Sequence, residues 1–151
     1  MTEQGGIRPA VEDDAGEVAR LAAVLGYPVA EEEMRSRVRG VLHSDADLLL
    51  VAADPGKRVM GWLQAHAAHR VHTGWGVEIV GLVVDPEARR QGIGRRLVAE
   101  ARRWAEARSA EALVVRSNLR RSESHLFYPA LGFSLNKQQA VYRLGLKGSG
   151  G

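Results

Sequence analysis

The chain contains no cysteine, which excludes disulfide cross-links, thiolate nucleophiles and cysteine-ligated zinc. It has no apolar run of the roughly 18–20 residues that crossing a bilayer requires. Aromatic residues are scarce, at 5%, and are not interleaved with the basic ones, so the stacking platform of a single-strand nucleic-acid binder is missing. The string Gly-x-x-x-x-Gly-Lys-Ser/Thr is absent, and Gly-x-Gly-x-x-Gly is broken because Leu97 stands where a third glycine would be required. There is no His-Glu-x-x-His. On a strand, His66 and His72 share a face while His69 turns to the other, so no metal site is expected. The first six residues show no basic segment followed by an apolar stretch. The expectation is a cytoplasmic protein with neither a membrane nor a nucleic-acid partner.

What is present fits one globular domain. The chain has 151 residues, 45% of them hydrophobic, and a mean hydropathy of -0.20. That is enough for a core of its own, with a domain expected over 1–146 and a flexible Gly/Ser tail over 147–151. Charge is unevenly placed. Residues 1–78 hold 8 Lys and Arg against 12 Asp and Glu, whereas residues 79–151 hold 13 against 6. An acidic half suits a cationic substrate and a basic half an anionic cofactor; a solvated surface that merely segregates is the plainer alternative.

Periodicity and turn residues predict a strand over 7–10, then a helix starting near Glu12-Asp13-Asp14 with Val18, Leu21, Ala22 and Leu25 inward. A second helix is predicted over 30–42, with strands over 48–53, 59–69 and 76–84. A long helix over 91–109 carries Ile93, Leu97, Val98, Ala101, Trp104 and Ala105 on one face. A strand over 112–116, a helix over 121–131 capped by Gly132 and a final strand pair over 133–135 and 140–144 complete the order. Helices alternating with strands in this way predict a mixed sheet with helices on both faces, an α/β layered domain.

The most informative stretch is Arg89-Arg90-Gln91-Gly92-Ile93-Gly94-Arg95, between a strand and a long helix. Two glycines allow a ligand to approach the backbone closely. The first N–H groups of the helix lack intrahelical partners and, with the positive end of the helix dipole, attract an anion. Arg89, Arg90 and Arg95 add charge; a solvated side chain is the alternative for each.

The turn resembles the acetyl-CoA site of the GNAT N-acetyltransferase superfamily, whose Arg/Gln-x-x-Gly-x-Gly/Ala pattern is met by Arg89, Gly92 and Gly94. Val80-Gly81-Leu82-Val83-Val84-Asp85-Pro86 resembles that family's central strand, Ser117-Asn118 follows the next strand as in the family, and Phe127-Tyr128 to Gly132-Phe133 resembles its Phe-Tyr-x-x-x-Gly-Phe segment. Asn118 lies ten residues before Tyr128, a longer interval than in many relatives. The resemblance covers about residues 7–145. It implies the GNAT fold, with a mixed sheet of about seven strands and a splayed central strand, and acetyl-CoA as cofactor. Leu82, Val83 and Val84 would then pair with the pantetheine arm like an added strand. Arg89, Arg90, Gln91, Gly92, Ile93, Gly94 and Arg95 would hold the pyrophosphate, and Asn118 and Tyr128 would contact the cofactor.

Acetyl transfer to an amine needs a positioned donor, removal of an ammonium proton, donors for an oxyanion and a proton for the leaving thiolate. Glu78, fourteen residues before Gly92 on the central strand, resembles the base of the histone-acetyltransferase branch. An outward-facing or arginine-paired strand glutamate is the alternative, and His66, His69 and His125 are substitute bases. The N–H of Val83 or Val84 is the oxyanion donor. Tyr128 is the acid, since a phenol titrates near a leaving thiol. Tyr27, Trp75 and Trp62 are candidates for lining the acceptor pocket, together with Glu78. The acceptor implied by analogy is the primary amine of a small cationic molecule, an aminoglycoside or polyamine. A protein or peptide amine and a non-catalytic acyl-CoA sensor remain alternatives, and many relatives are homodimers.

Overall fold

The structure, a computed structural model, describes residues 6–116 and 127–147. Contacts divide the chain into two compact units, Met1–Arg116 and Ser117–Gly151. In the first unit, β1 (Gly6–Pro9) is followed by α1 (Ala15–Val24), α2 (Glu31–Leu42), β2 (Asp47–Ala53), β3 (Val59–Arg70), β4 (Gly74–Val84), α3 (Ile93–Ala107) and β5 (Leu113–Val115). The sheet order is β1-β2-β3-β4-β5. The first four strands pair antiparallel, and β5 runs parallel to β4.

Every predicted element of this unit is present, with ends displaced by a few residues. Glu12–Asp14 forms a 3₁₀ turn rather than the first turn of α1. Its cause is Asp14, whose carboxylate accepts the Val11 N–H at 2.8 Å and the Arg8 guanidinium at 2.8 and 2.9 Å. The helix therefore starts one turn later.

Two of the roughly seven strands expected from the resemblance are not formed among the described residues. Segments 133–135 and 140–144 join no ladder. Apolar alternation makes a segment compatible with a strand, but the strand exists only where its N–H and C=O groups meet a second one. In the second unit, residues 127–130 are helical. The turn closes through Gly132 N to Pro129 O at 3.0 Å and Phe133 N to Tyr128 O at 3.1 Å. Gly132 has φ of +99°, the left-handed stop expected of it.

The strict alternation of β3 fixes the layers. Trp62, Gln64 and His66 point to one face, and Gly61, Leu63 and Ala65 to the other. On the first face α1 and α2 pack through Val18, Leu21, Met34 and Val38 against Leu49, Val51 and Trp62. The indole of Trp62 donates to Val18 O at 3.2 Å. On the second face α3 lies across the sheet through Ile93 and Leu97, both buried. Gly61 sets how closely it lies. A Cβ there would stand 2.9 Å from Val83 O and 3.2 Å from Ile93 Cγ2. Gly61→Ala is therefore expected to overpack this contact, to cost about 1–3 kcal/mol and to lift the first turn of α3. A thermal melt and an acetyl-CoA titration of the same variant would check this; a wild-type melting point would show that the neighbours yield freely.

Candidate active site

The site forms where β4 stops being an ordinary sheet strand. Its register with β3 shifts between Gln64, opposite Gly81, and Ala65, opposite Ile79. Val80 is thus the extra residue of a β-bulge, a device that bends a strand and ends pairing. The pairing of β4 with β5 covers only Val77, Glu78 and Ile79. Beyond the bulge, Val80 to Val84 have no strand partner on that side among the described residues. The Asp85 N–H donates to Met60 O at 2.7 Å. By antiparallel alternation, Val83 then turns its N–H toward β3, while Leu82 and Val84 present theirs to the open edge. Of the two expected oxyanion donors, only Val84 faces that way.

The strand leads directly into the glycine turn. Asp85 is buried and accepts the Glu87 N–H at 3.0 Å, Arg20 at 2.9 Å and Arg58 at 3.2 Å. Arg20 also donates to Val59 O at 2.8 Å, so one carboxylate ties the turn to both α1 and β3. The Glu87 amide and then the Arg20 guanidinium hold the Asp85 carboxyl below its usual range, against the opposing effect of burial, with Arg58 adding to them. Arg90 and Gly92 then adopt φ of +68° and +75°. No side chain caps Gly92. The first helical bond runs from Arg96 N to Gly92 O, so the N–H groups of Ile93, Gly94 and Arg95 precede it. Arg89, Arg90, Gln91 and Arg95 are exposed around them. Ile93 and Gly94 are buried beneath the turn. These donors and charges fit a pyrophosphate.

On the α1/α2 face a cavity of about 270 Å³ reaches the bulge, with Val80 and Gly81 in its wall. Tyr27, Trp62 and Gln64 line it, and the other described residues of its lining are apolar except for Arg37. Gly81 keeps it open: a Cβ there would come within 2.8 Å of the Trp62 ring.

The other predicted residues separate. Tyr27 is in the cavity wall and largely exposed. Trp75 is not in that wall. It pairs with His69 on the α3 face, their rings 4.5 Å apart, and donates to Arg108 O at 2.7 Å, so it fastens the end of α3. Glu78 is buried but not in an apolar setting. Its Oε1 accepts from Arg70 at 3.0 Å and its Oε2 from Arg116 at 2.9 Å, the arginine-paired arrangement. Directly across from it on β3 is His66. Tyr128 lies in the second unit, its ring edge-on to Phe127 and Phe133 at 4.9 and 5.7 Å. Asn118 and His125 lie outside the described residues.

The acidic surplus of the N-terminal half is largely consumed locally. Glu12, Asp13 and Glu31 meet Arg35, Glu12 also meets Arg39, Glu33 meets Arg37, and Glu17 meets Arg20. Among the described residues, no carboxylate lines the cavity.

A central strand that parts from its neighbour and feeds a glycine turn is what the sequence resemblance implies, and a family profile now decides the family. The profile described as the acetyltransferase (GNAT) family matches residues 16–133. The chain belongs to this family. Among curated relatives, it is 27% identical over 141 residues to the mycothiol acetyltransferase of Arthrobacter sp. (strain FB24), covering 89% of this chain and 43% of that one. It is 24% identical over 147 residues to the aminoglycoside N(6')-acetyltransferase type 1 of Stenotrophomonas maltophilia, covering 95% of both. The chain thus spans under half of the first relative and nearly all of the second. Among solved structures, the aminoglycoside 6'-N-acetyltransferase AAC(6')-Ih of Acinetobacter baumannii superposes with a TM-score of 0.81 at 22% identity, covering 95% of this chain and 99% of that one. The aminoglycoside N-acetyltransferase AAC(6')-Iy, solved in complex with CoA, gives 0.84 at 20% identity, covering 95% and 97%. GNAT enzymes use acetyl-CoA, and the turn after β4 has the donors to receive it. No described helix is long and apolar enough to cross a membrane.

Proposed function

We propose that this chain transfers an acetyl group from acetyl-CoA to the primary amine of a small molecule, by direct attack in a ternary complex. The observation that carries the reading is the shared location of three features at one end of β4: the open edge at Val80 to Val84, the uncapped turn at Gly92, and the cavity that reaches Val80 and Gly81. Bound acetyl-CoA supplies a thioester, an acyl group ready for an amine. Arg89 to Arg95 hold the pyrophosphate through the N–H groups of Ile93, Gly94 and Arg95. Leu82 and Val84 hold the pantetheine arm along the open edge. The Val84 N–H stabilises the developing oxyanion, Asn118 contacts the cofactor arm, and Tyr128 contacts it and supplies a proton to the leaving thiolate. Tyr27 borders the acceptor.

A small cationic amine, an aminoglycoside or a polyamine, is the acceptor supported by the curated relative that matches end to end. A second reading is supported by the cavity. Its mostly apolar lining, without a carboxylate among the described residues, suits an amine on an apolar body, because a polycation gains nothing from apolar walls and loses hydration there.

A thiol-release assay with acetyl-CoA separates the two. Aminoglycosides and polyamines form one arm, and arylalkyl and aliphatic monoamines the other. The cavity reading expects the monoamines to have the higher kcat/KM by about tenfold or more, the scale of one or two buried methylenes; the reverse order assigns the cationic class. Acetyl-CoA binding without release in either arm removes the small-amine reading in favour of a peptide acceptor or a sensor.

A further inference from the structure

Asp47, His66 and Glu78 stand in one row across β2, β3 and β4, each opposite the next in register, and all on the face that carries the cavity. His66 Nδ1 lies 3.0 Å from Asp47 Oδ1. The same oxygen accepts Gln64 Nε2 at 3.3 Å, and Gln64 is in the cavity wall. An ionised carboxylate only accepts hydrogen bonds, so Nδ1 carries the hydrogen and Nε2 keeps a lone pair. Burial works against the charge of Asp47, but hydrogen bonds from Ser44, His66 and Gln64 outweigh it and hold the carboxyl below its usual range. The Asp47 side chain is mostly buried, while the His66 side chain is 40% exposed. The orienting group is thus fixed, and the group it orients remains accessible.

Glu78 is in a different condition. Each of its oxygens already accepts a guanidinium hydrogen bond, so taking up a proton weakens two charge-assisted bonds at once. Among the described residues, the charged groups in the row of His66 are Asp47 from β2, Glu78 from β4 and the two partners of Glu78, Arg70 from β3 and Arg116 after β5; Arg37 of α2 lines the cavity, whose wall includes Gln64 but not His66. Asp47 is the one among them whose charge is bonded directly to the imidazole.

We propose that His66, oriented by Asp47, is the proton acceptor for the amine, and that Glu78 holds Arg70 and Arg116 in place rather than acting as the base. This rests on the acetyltransferase reading above. The acceptor ammonium gives one proton to His66 Nε2. The freed nitrogen lone pair forms the C–N bond, the C–S bond of the thioester breaks, and the thiolate takes the Tyr128 phenol proton, which the second proton of the acceptor nitrogen replaces. His66 returns its own proton to solvent. Asp47 acts through His66 as a positioning residue.

Three readings on the full chain test this. By nitrogen-detected NMR, His66 of the wild type is expected to carry its hydrogen on Nδ1, and Asp47→Asn to abolish that preference. With the best amine from the thiol-release assay, His66→Gln is expected to lower kcat by about 10²–10⁴-fold, the usual contribution of a positioned base, and to remove the acid limb of the pH profile, with acetyl-CoA affinity unchanged. Glu78→Gln is expected to keep that limb. A hydrogen on Nε2 in the wild type overturns the proposal, as does an acid limb that survives in His66→Gln or disappears in Glu78→Gln. Failure of the wild type to bind acetyl-CoA sinks the acetyltransferase reading instead, and the tautomer still reports on the Asp47–His66 pair by itself.

Discussion

Gly92→Glu is expected to abolish acetyl-CoA binding while leaving the protein folded. Gly92 has φ of +75°, and a Cβ placed on it would meet nothing within 4 Å. The position therefore has room for a side chain but strains the backbone that carries one, by about 1–2 kcal/mol. That strain alone does not unfold a domain of ordinary stability. A glutamate there puts a carboxylate among the N–H groups of Ile93, Gly94 and Arg95, where the pyrophosphate is proposed to bind. It takes their hydrogen bonds and repels the ligand. Gly92→Ala is the control, with the same strain and no charge. Calorimetry should show a loss of at least about 100-fold for the glutamate, equivalent to two powers of ten at 1.4 kcal/mol each, and a much smaller loss for the alanine. Wild-type affinity in a folded Gly92→Glu protein would mean that acetyl-CoA is held elsewhere.

Asp85→Ala is expected to be the most destabilising change at the site. The side chain is buried and is shared by Glu87 N, Arg20 and Arg58. Its removal deletes a cap and leaves two guanidiniums without their common acceptor. Both arginines are partly exposed, so water takes up some of the loss, and about 2–4 kcal/mol is expected, less than for a fully buried pair. For a chain of this size that lowers the melting temperature by about 5–15 °C. The pH dependence follows from the depressed Asp85 carboxyl. A carboxylate that titrates lower when folded binds its proton more readily in the unfolded chain. Its stabilisation is thus complete above the unfolded value, about pH 3.9, and disappears as pH falls through the folded value. The gap between wild type and Asp85→Ala should therefore be constant at neutral pH and close in acid. Asp85→Asn keeps the side-chain shape without the charge and should fall between them. Melts recorded from neutral pH into acid would decide; a gap that stays open in acid would show that the charge of Asp85 is not what stabilises the turn. Because Asp85 anchors the segment that leads to Gly92, weaker acetyl-CoA binding should accompany the loss of stability.

The elements of the first unit were legible because their signals are local. The apolar stripe of α3 and the strand pattern of β4 each need only neighbours in sequence. The glycine turn was legible for the same reason, since Arg89 to Arg95 carry their glycines, charges and helix start within one short segment. The strands expected over 133–135 and 140–144 were the weakest inference. Their pattern is correct, but a ladder requires a partner that the pattern does not name.

The acceptor side was not legible. Glu78 reads identically in sequence whether it faces apolar walls or two arginines, and Arg70 and Arg116 reach it from β3 and from beyond β5. Trp75 and Trp62 are both indoles on strands, and only the register sends one to α3 and the other to the cavity. Gly61 and Gly81 carry no turn signal; their importance comes from atoms of Val83, Ile93 and Trp62 that the fold brings against them. Acid counts in the N-terminal half suggested a cationic partner, yet most of those acids meet arginines of the same half. The sequence by itself determined the sheet-and-helix order, the family and the glycine turn on which the donor site is proposed, because each is written in contiguous residues. Only the tertiary structure decided which face each strand residue takes, which charges are already paired and that Asp47 reaches His66, because these depend on strand register and on contacts between residues distant in the chain.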